Sequence, residues 1–537
     1  MPDTTSLGVM SLATDDQFYR ALVSRDARFD GVFFVGVTST GVYCRPVCRA
    51  PKPRPENCRF FTSAAAAERR GFRPCLRCRP ELAPAASRHP SDHPGPGRTA
   101  TIDAVGQLAR VAAARIAAGA LDRAGVQGLA ADLGVSARHL RRAVERELGV
   151  SPVELAQTHR LLMAKQLLTE TSLPVSQVAF ASGFRSVRRF NAAFGTRYRL
   201  APTALRRHRD RSGAASGPGD PAPTVTLSLS FRPPFDWGAM LRYLAVRAIP
   251  GVEVVEHDRG CYARIMQFGG EHGYVVVRSA APRAAGGDGL MLSAEVSASL
   301  LPVVAEVLAR LRRLLDLDTD PGPIVSHLAT DPTLADLVAG RPGLRVPGAV
   351  DGFELAVRAV LGQQVSVRGA TTLSGRLVRL IAERLPSTPA SGSGSSPASL
   401  THLPISAERL ADASPALVAS IGLPSARAVC LVALARAVAD GQLPELVDVA
   451  STTAPADCVR RLQALPGVGP WTATYIAMRA LRWPDAFPHG DLALRRAMGG
   501  MAPARLRAAA DRWRPWRAYA ALHLWTSIAD ASTAVRL

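Results

Sequence analysis

The sequence predicts a multidomain α+β protein, and three observations carry that prediction. At 537 residues the chain is too long for one hydrophobic core. Three stretches rich in Gly, Ser, Pro and Ala bury little apolar surface and are predicted to be flexible, namely linkers at 83–100 and 209–224 and an insertion at 387–399. The segments between the linkers differ in character. They predict four folded domains, at residues 1–82, 101–208, 225–305 and 306–537.

The four segments alternate in predicted secondary structure. The first combines short apolar runs such as Val32–Val37 with loops rich in Cys and Arg, which predicts a small α/β domain. The second has helical periodicity broken by glycines and predicts an all-α domain. In the third, alternating runs at 225–229 and 274–277 predict a small antiparallel sheet in an α+β domain. The fourth is helical throughout and predicts a second all-α domain.

The chain is strongly basic, with a formal net charge of +21. This excess predicts a polyanionic partner, either nucleic acid or an anionic membrane surface. Residues 101–211 alone carry 18 Arg or Lys against 8 Asp or Glu, which indicates a basic module. No stretch approaches the roughly 20 apolar residues of a membrane span. The N-terminus also lacks the basic and apolar regions of a secretion signal, so we expect a cytoplasmic protein without a membrane partner.

Five of the eight cysteines lie between positions 44 and 78. Cys44 and Cys48 are spaced C-x3-C, and Cys75 and Cys78 are spaced C-x2-C. Two such pairs predict a tetrahedral zinc site, which in most proteins is structural. Arginines such as Arg45 surround the pairs and would bring a phosphate backbone close to the sulfurs. Cys58 has no counterpart in the tetrad and is interpreted as an ordinary small buried residue.

The second segment contains two similar helix-turn-helix patterns. In the first, Gly128–Ser136 predicts a helix, a tight turn and an N-cap, and a second helix Ala137–Leu148 follows. The second has a predicted helix Val175–Ala181, a Gly turn and a run from Ser186. Arginines predicted to point outward and contact DNA are Arg138, Arg141, Arg142, Arg188 and Arg189. A single helical Arg run is more often a solvated face, but the repeated pattern favours DNA binding.

The fourth segment contains a turn between helices, Leu465–Ala473, in which Gly467 and Gly469 open onto a helix N-terminus. Such a turn leaves backbone N–H groups free to hold a phosphate. About 20 residues later, Asp491 follows a loop that contains Pro and Gly. A hairpin, a loop and an aspartate in this order are the basis of the resemblance described below.

The first two segments resemble the Ada family of bacterial adaptive-response regulators, in GVYCRPVCRA at 41–50 and GFRPCLRC at 71–78. In that family the first cysteine of the run takes a methyl group from DNA methylphosphotriesters, which implies this role for Cys44. Methylation would remove one negative charge beside a phosphate and tighten DNA binding, so repair would act as the signal. The tandem helix-turn-helix resembles the AraC-type domain that Ada proteins carry next to the zinc module.

Residues 225–537 resemble the helix-hairpin-helix DNA glycosylases of the AlkA type, in PPFDW at 233–237, RPGLRVPGAVDGFELAVRAVLGQQVSV at 341–367 and DRWRPWRAYAALHLW at 511–525. The resemblance implies that Asp491 is the catalytic carboxylate, which stabilises an oxocarbenium-like state. Asp491 also suits the N-cap of a helix Leu492–Met498, and both roles are compatible. Trp471, Tyr475 and Trp525 match the family's aromatic pocket, in which a flipped cationic alkylpurine stacks, although each aromatic alone is more often core.

Several differences refine this expectation. Trp471 stands where bifunctional glycosylases carry a lysine, which implies base removal without strand cleavage. Leu492 replaces a tyrosine after the catalytic aspartate, and Gln364 replaces a leucine that wedges into the base stack. The chain has no Pro-Cys-His-Arg motif, so O6-alkylguanine reversal is not expected.

Together these patterns predict a Zn²⁺-binding, monomeric DNA repair protein and transcriptional regulator associated with the nucleoid. Its expected activities are methyl transfer from methylphosphotriesters to Cys44 and hydrolytic release of 3-methyladenine-type bases. Its expected partners are damaged and promoter duplex DNA and RNA polymerase. One alternative is a regulator with a structural zinc site and an inactive glycosylase half. Another retains catalysis but acts on oxidised purines.

Overall fold

The computed structural model describes residues 15–85, 101–210, 224–280, 291–385, 399–446 and 450–534. Most of the predicted linkers at 83–100 and 209–224, and nearly all of the predicted insertion at 387–399, lie outside the described residues. The chain divides into two compact units, Met1–Arg232 with Ala298–Ala309, and Pro233–Ser297 with Arg310–Leu537. The predicted multidomain α+β architecture is confirmed.

The first unit begins with a small α/β part. Its four-stranded sheet has the order β3-β1-β2-β4, in which β1 is antiparallel to β2 and β3, and β2 is parallel to β4. Phe34, Tyr43 and Ala67 form part of its core. The predicted strand Val32–Val37 begins two residues later than expected. The elements are α1 (Asp15–Ser24), β1 (Phe34–Val37), β2 (Val42–Cys44), β3 (Cys58–Phe61), α2 (Ala64–Arg69) and β4 (Arg73–Pro74).

An all-α part follows in the same unit. Ser136 begins α6 because its Oγ accepts a hydrogen bond from the backbone N–H of His139, and Ser186 begins α9 in the same way. The predicted helices Ala137–Leu148 and Val175–Ala181 have the observed bounds. The helices are α3 (Thr101–Ala117), α4 (Ala120–Arg123), α5 (Gly125–Asp132), α6 (Ala137–Leu148), α7 (Pro152–Glu170), α8 (Val175–Ala181), α9 (Val187–Tyr198) and α10 (Pro202–Asp210).

The predicted sheet domain at 225–305 is divided between the two units. Strand β5 (Thr224–Ser230) belongs to the first unit. The second unit contains α11 (Trp237–Ala245) and an antiparallel meander of β6 (Glu253–Glu256), β7 (Cys261–Phe268), β8 (Glu271–Ser279) and β9 (Met291–Ser297). Helix α12 (Val304–Leu314) crosses the boundary between the units at position 310.

The rest of the second unit is helical around two apolar cores. One core is formed chiefly by α15, α19 and α21, and the other by the C-terminal helix α24 with α13 and α14. None of the described helices is long and apolar enough to cross a membrane. The helices are α13 (Pro321–Leu328), α14 (Ala335–Gly340), α15 (Gly352–Leu361), α16 (Val367–Ile381), α17 (Ala407–Ala411), α18 (Pro415–Ala419), α19 (Ser425–Ala439), α20 (Pro455–Gln463), α21 (Pro470–Ala480), α22 (Leu492–Ala497), α23 (Pro503–Ala509) and α24 (Arg517–Ala534).

Candidate metal centre and candidate active site

The four predicted zinc ligands meet at the edge of the small sheet. Because β2 runs parallel to β4, the ends of both strands bring Cys44 and Cys75 together, and the backbone N–H of Cys75 donates to the Tyr43 carbonyl at 2.9 Å. Cys48 and Cys78 follow in short turns. All four sulfur atoms lie within 4.8 Å of one another. Tetrahedral zinc–thiolate bonds of ~2.3 Å place sulfurs about 3.8 Å apart, so the donor set fits Zn²⁺.

The electrostatics of this cluster also favour a bound cation. Hydrogen bonds with Cys48 and Cys75, together with burial, raise the pKa of the Cys44 thiol, and contacts with Cys44 raise that of Cys78. Four thiols in such proximity can all lose their protons only when a positive charge compensates them, which Zn²⁺ does. Cys58 is buried and is not a member of the tetrad, as predicted.

Arg45 does not have the solvent-facing position expected of a phosphate contact. Its guanidinium forms an ion pair with Asp30, and its Nη1 donates to the Cys78 carbonyl at 3.1 Å. Its backbone N–H donates to Cys78 Sγ at 3.4 Å. Arg45 therefore fixes the ligand loops, and its guanidinium is already committed to Asp30.

A buried polar network connects the zinc-binding part to helix α7 within the first unit. Arg79, next to a zinc ligand, donates to Glu170 Oε1 at 2.6 Å, and Lys165 forms an ion pair with Glu81. The side chains of Lys165 and Glu81 are each 1% exposed. Burial favours the neutral form of Glu81, but the charges of Lys165 and Arg79 outweigh it and lower the pKa of this carboxyl. No sequence pattern predicts this network, because its members are far apart in the chain.

A second group of contacts joins the same two parts around Glu68. Its carboxylate accepts from Tyr43 Oη at 3.0 Å and from Thr158 Oγ1 at 2.7 Å. Arg197 Nη1 donates to the Glu68 backbone carbonyl at 2.5 Å. Burial raises the pKa of the Glu68 carboxyl, and the hydroxyl donors and Arg197 oppose that effect.

The arginines predicted to contact DNA from the helix-turn-helix units are exposed. Helix α6 buries Leu140, Ala143 and Val144 on its inner face. Helix α9 buries Phe190 and Phe194 in the same way. The exposed set consists of Arg138, Arg141, Arg142, Arg188 and Arg189. Their contact with DNA remains a prediction.

In the second unit, Asp491 is held by three N–H donors. Its Oδ1 accepts from the backbone N–H of Leu494 at 2.9 Å and from Trp525 Nε1 at 3.0 Å, and its Oδ2 accepts from Trp471 Nε1 at 3.0 Å. Asp491 is thus the N-cap of α22, while its carboxylate also joins side chains from α21 and α24. Three donors suit an ionised carboxylate, which only accepts hydrogen bonds.

The three predicted pocket aromatics lie together beside this carboxylate. Trp471 and Tyr475, one helical turn apart on α21, are stacked with centroids 5.3 Å apart, and Trp525 meets Tyr475 edge-on at 6.3 Å. The structure adds two residues that no sequence motif indicates, Arg479 and Tyr243. Tyr475 Oη accepts from Arg479 Nη1 at 2.9 Å and lies 3.3 Å from Tyr243 Oη. The Arg479 contact follows from its i,i+4 spacing on α21.

The side chain of Gln363, next to the predicted wedge Gln364, forms hydrogen bonds with the hairpin. Gly467 has φ +81°, and a Cβ there would lie 3.2 Å from Cys430 Cβ, whereas a Cβ at Gly469 would meet open space. Gln363 Nε2 donates to the Gly467 carbonyl at 2.9 Å and to the hydroxyl of Thr472 at 3.0 Å. Gln364 is exposed with φ +57°, so its side chain lies at the tip of a tight turn. Leu492, the residue after Asp491, is 64% exposed.

Comparison with known proteins matches three segments of the chain, namely the zinc-binding part, the helix-turn-helix part and the segment that follows them. Residues 17–81 match the metal binding domain of Ada, residues 129–208 a helix-turn-helix domain, and residues 226–351 the AlkA N-terminal domain. A probable bifunctional transcriptional activator/DNA repair enzyme AlkA of Mycobacterium tuberculosis (strain H37Rv) is 41% identical over 523 residues, which cover 96% of each chain. The chain belongs to this AlkA family of bifunctional activators and repair enzymes.

Two other relatives cover separate parts of this AlkA-family chain. DNA-3-methyladenine glycosylase 2 of Escherichia coli (strain K12) is 40% identical over 301 residues, 56% of this chain and 96% of the relative. The bifunctional transcriptional activator/DNA repair enzyme Ada of the same organism is 47% identical over 70 residues, 13% of this chain and 20% of the relative. The family thus combines an Ada-like and a glycosylase-like portion in one polypeptide.

Proposed function

We propose that this chain removes alkylated purines of the 3-methyladenine type from DNA by hydrolysing the N-glycosidic bond without cutting the strand. The observation that carries the proposal is the Asp491 carboxylate, oriented by two indole N–H groups beside the ring of Tyr475. A carboxylate oriented in this way, next to stacked aromatic rings, suits a purine that is flipped out of the duplex and carries a positive charge.

The chemistry follows from the position of this carboxylate. When the bond from C1′ to the base nitrogen breaks, its electron pair stays with the cationic base, which leaves as a neutral molecule. The sugar then carries positive charge, and the Asp491 carboxylate stabilises it. Water forms the new bond to C1′ and gives its proton to the carboxylate, from which it passes to solvent. Trp471 has no amine, so this position offers no group for a Schiff base.

We propose a second reaction at Cys44, supported by the match of residues 17–81 to the metal binding domain of Ada and by the four-cysteine cluster. Bound Zn²⁺ would keep the four sulfurs as thiolates. Cys44 Sγ forms a bond to the methyl carbon of a methylphosphotriester, the bond from carbon to phosphate oxygen breaks, and a phosphodiester anion leaves. The product thioether carries one negative charge less, so the attraction between this part and DNA increases.

The exposed arginines of α6 and α9 supply the proposed link to transcription. In this proposal, the methylated protein binds promoter DNA through the helix-turn-helix units and activates repair genes together with RNA polymerase. Arg45 is left out of the DNA-contacting set because its guanidinium pairs with Asp30.

The decisive experiment incubates the full chain with duplex DNA that carries radiolabelled methyl groups. We expect label both in released bases and in the protein, and peptide mass spectrometry should find one methyl group on Cys44. Asp491→Asn should lose only base release. Cys48→Ser removes a ligand but not the acceptor, so comparing its zinc content and labelling with those of Cys44→Ser separates the two roles. No base release by wild type would leave the purely regulatory alternative, and preferential release of 8-oxoguanine would indicate oxidised purines.

A further inference from the structure

The phenolic oxygen of Tyr475 lies in an unusual environment at the base pocket. Arg479 Nη1 donates to it at 2.9 Å and to Tyr243 Oη at 3.1 Å. The other donors of Arg479 reach backbone carbonyls, that of Pro347 at 2.5 Å and that of Gly348 at 2.8 Å. Arg479 is 5% exposed, so its charge is removed from water.

Among the described residues, no carboxylate forms an ion pair with Arg479. Two further guanidiniums lie near the same tyrosine pair, and neither forms an ion pair with a carboxylate in the part of the chain that the structure describes. Arg358 donates to the hydroxyl of Thr371 at 2.9 Å, and Arg247 lies 3.8 Å from the centre of the Tyr243 ring. Buried positive charge without an anion is costly. The surroundings therefore favour an anion at one of the two phenols.

The two tyrosines respond differently to this environment. Burial by itself would raise the pKa of the Tyr475 phenol, but the charges of Arg479 and Arg247 and the hydrogen bond with Tyr243 outweigh it and lower the pKa to about 7. Burial raises the pKa of Tyr243, so this phenol keeps its proton and can donate it in the contact with Tyr475.

The charged groups around this pair come from several elements. Helix α21 contributes Arg479, α15 contributes Arg358, and Arg247 follows α11. Strand β6 contributes the carboxylate of Glu253, which acts on Arg479 and Arg358 through space but forms its ion pair with Arg264. From α24 the neighbour of Tyr475 is the neutral Trp525. The Asp491 carboxylate lies at the same aromatic cluster, where it accepts from the indoles of Trp471 and Trp525, but it is one negative charge against three guanidiniums. The local excess of charge is thus positive, and it would repel a cationic base unless a further anion offsets it.

We propose that Tyr475 is a specificity-determining anion of the base pocket, a phenolate held by Arg479 and Tyr243 that lets the pocket favour cationic alkylated purines over neutral ones. The same ring stacks on Trp471, so one residue would provide both the stacking surface and the charge. This inference rests on the proposed glycosylase function. At a separation of a few ångströms in a partly buried site, loss of one charge should reduce the preference for cationic bases roughly tenfold or more.

The first test needs no activity. In the folded full chain, the ultraviolet band that distinguishes tyrosinate from tyrosine should report ionisation of one of the 8 tyrosines between about pH 6 and 8. Tyr475→Phe should abolish this step. Tyr243→Phe should shift it to higher pH, because the hydrogen bond from Tyr243 lowers the pKa of Tyr475. The control Tyr19→Phe, which removes a phenol of the first unit, should leave it unchanged. Absence of the step in folded wild type would overturn the inference, whatever the glycosylase does.

The second test compares single-turnover release of 3-methyladenine with release of neutral hypoxanthine across the same pH range. In wild type, the ratio of the two rates should rise as Tyr475 ionises. In Tyr475→Phe it should be lower by roughly tenfold and independent of pH. A ratio that is unchanged by the substitution would overturn the inference. If neither base is released while the ultraviolet band still reports the ionisation of Tyr475, the proposed glycosylase function is wrong. The proposed preference for cationic bases is then wrong as well.

Discussion

Replacement of Asp491 by asparagine tests the proposed active site because the two side chains have nearly the same shape but differ in charge. The carboxylate accepts three N–H donors, two at Oδ1 and one at Oδ2. Asparagine has one acceptor oxygen and one NH₂ group. If its oxygen serves Leu494 and Trp525, the NH₂ group faces the Trp471 indole N–H, and two donors oppose each other.

Two separate magnitudes follow. One unsatisfied, partly buried donor should lower the free energy of unfolding by about 1–3 kcal/mol. Loss of the negative charge beside C1′ should lower the rate of base release by a factor of about 10²–10³ or more, as when one preorganised stabilising group is removed from an active site. The second effect is larger and does not depend on DNA affinity.

The assay is single-turnover release of 3-methyladenine at saturating protein, with urea unfolding measured on the same preparation. Asp485→Asn provides a matched control because the Asp485 carboxylate accepts hydrogen bonds from Arg514 and Arg517 rather than from the indoles of the pocket. It should lose stability and keep base release. Base release by Asp491→Asn within a few-fold of wild type would refute the assignment of Asp491, and equal losses in both variants would show that the effect is structural.

Three further predictions concern stability. Lys165→Met removes one of the two cations that pair with the buried Glu81 and leaves Arg79 as the other, so the free energy of unfolding should fall by up to about 3–5 kcal/mol in chemical denaturation. Gly467→Ala should destabilise the chain by about 1 kcal/mol or more, because Gly467 has a positive φ and an added Cβ would lie close to Cys430. Gly469→Ala should unfold like wild type, because its added Cβ meets open space. The same Cβ would stand between the backbone and a phosphate, so duplex binding measured by fluorescence titration should weaken. Burial lowers the pKa of His523 to about 4. The stability associated with the neutral imidazole is therefore fully present above about pH 6.5 and is lost as the pH falls towards 4. His523→Gln should remove up to about 3 kcal/mol of this pH dependence of the free energy of unfolding.

Each of these predictions has a contradicting outcome. Arg409 forms an exposed ion pair with Glu383, and Arg409→Ala should change the unfolding free energy by less than about 1 kcal/mol. A loss of unfolding free energy in Lys165→Met as small as that in Arg409→Ala would show that the buried ion pair of Lys165 with Glu81 does not stabilise the fold. Equal DNA affinity of Gly469→Ala and wild type would argue against a backbone phosphate contact there. An unchanged pH profile in His523→Gln would assign the acid sensitivity to other groups.

Much of the fold was predictable because its signals are local. Helix α6 has the predicted bounds since Ser136 caps its start and Gly149 adopts the left-handed conformation at its end. The cysteine tetrad was predictable for the same reason, as each C-x2–3-C pair lies within one turn. The assignment of strands to units was not predictable. Strand β5 has the expected alternation, but its grouping with the first unit depends on packing between distant segments.

The candidate active site shows a similar division. The motifs named Asp491, Trp471 and Trp525, but not the direct hydrogen bonds from both indoles to the carboxylate. Such contacts join α21, α22 and α24 and depend on side-chain orientation. Arg45 was expected to face phosphate because of its position next to Cys44, yet Asp30 on another segment binds it. A sequence pattern shows which charges are present, and the fold decides which of them remain available.

The shared charges between the zinc-binding part and helix α7 have a consequence for how these proteins can be divided and recombined. A fragment that ends near residue 85 would retain Glu81 and Glu68 without Lys165 and Thr158, and would expose acids that have solvent-shielded partners in the whole chain. Exchange of the zinc-binding part between relatives should therefore succeed only when the matching helix is exchanged with it.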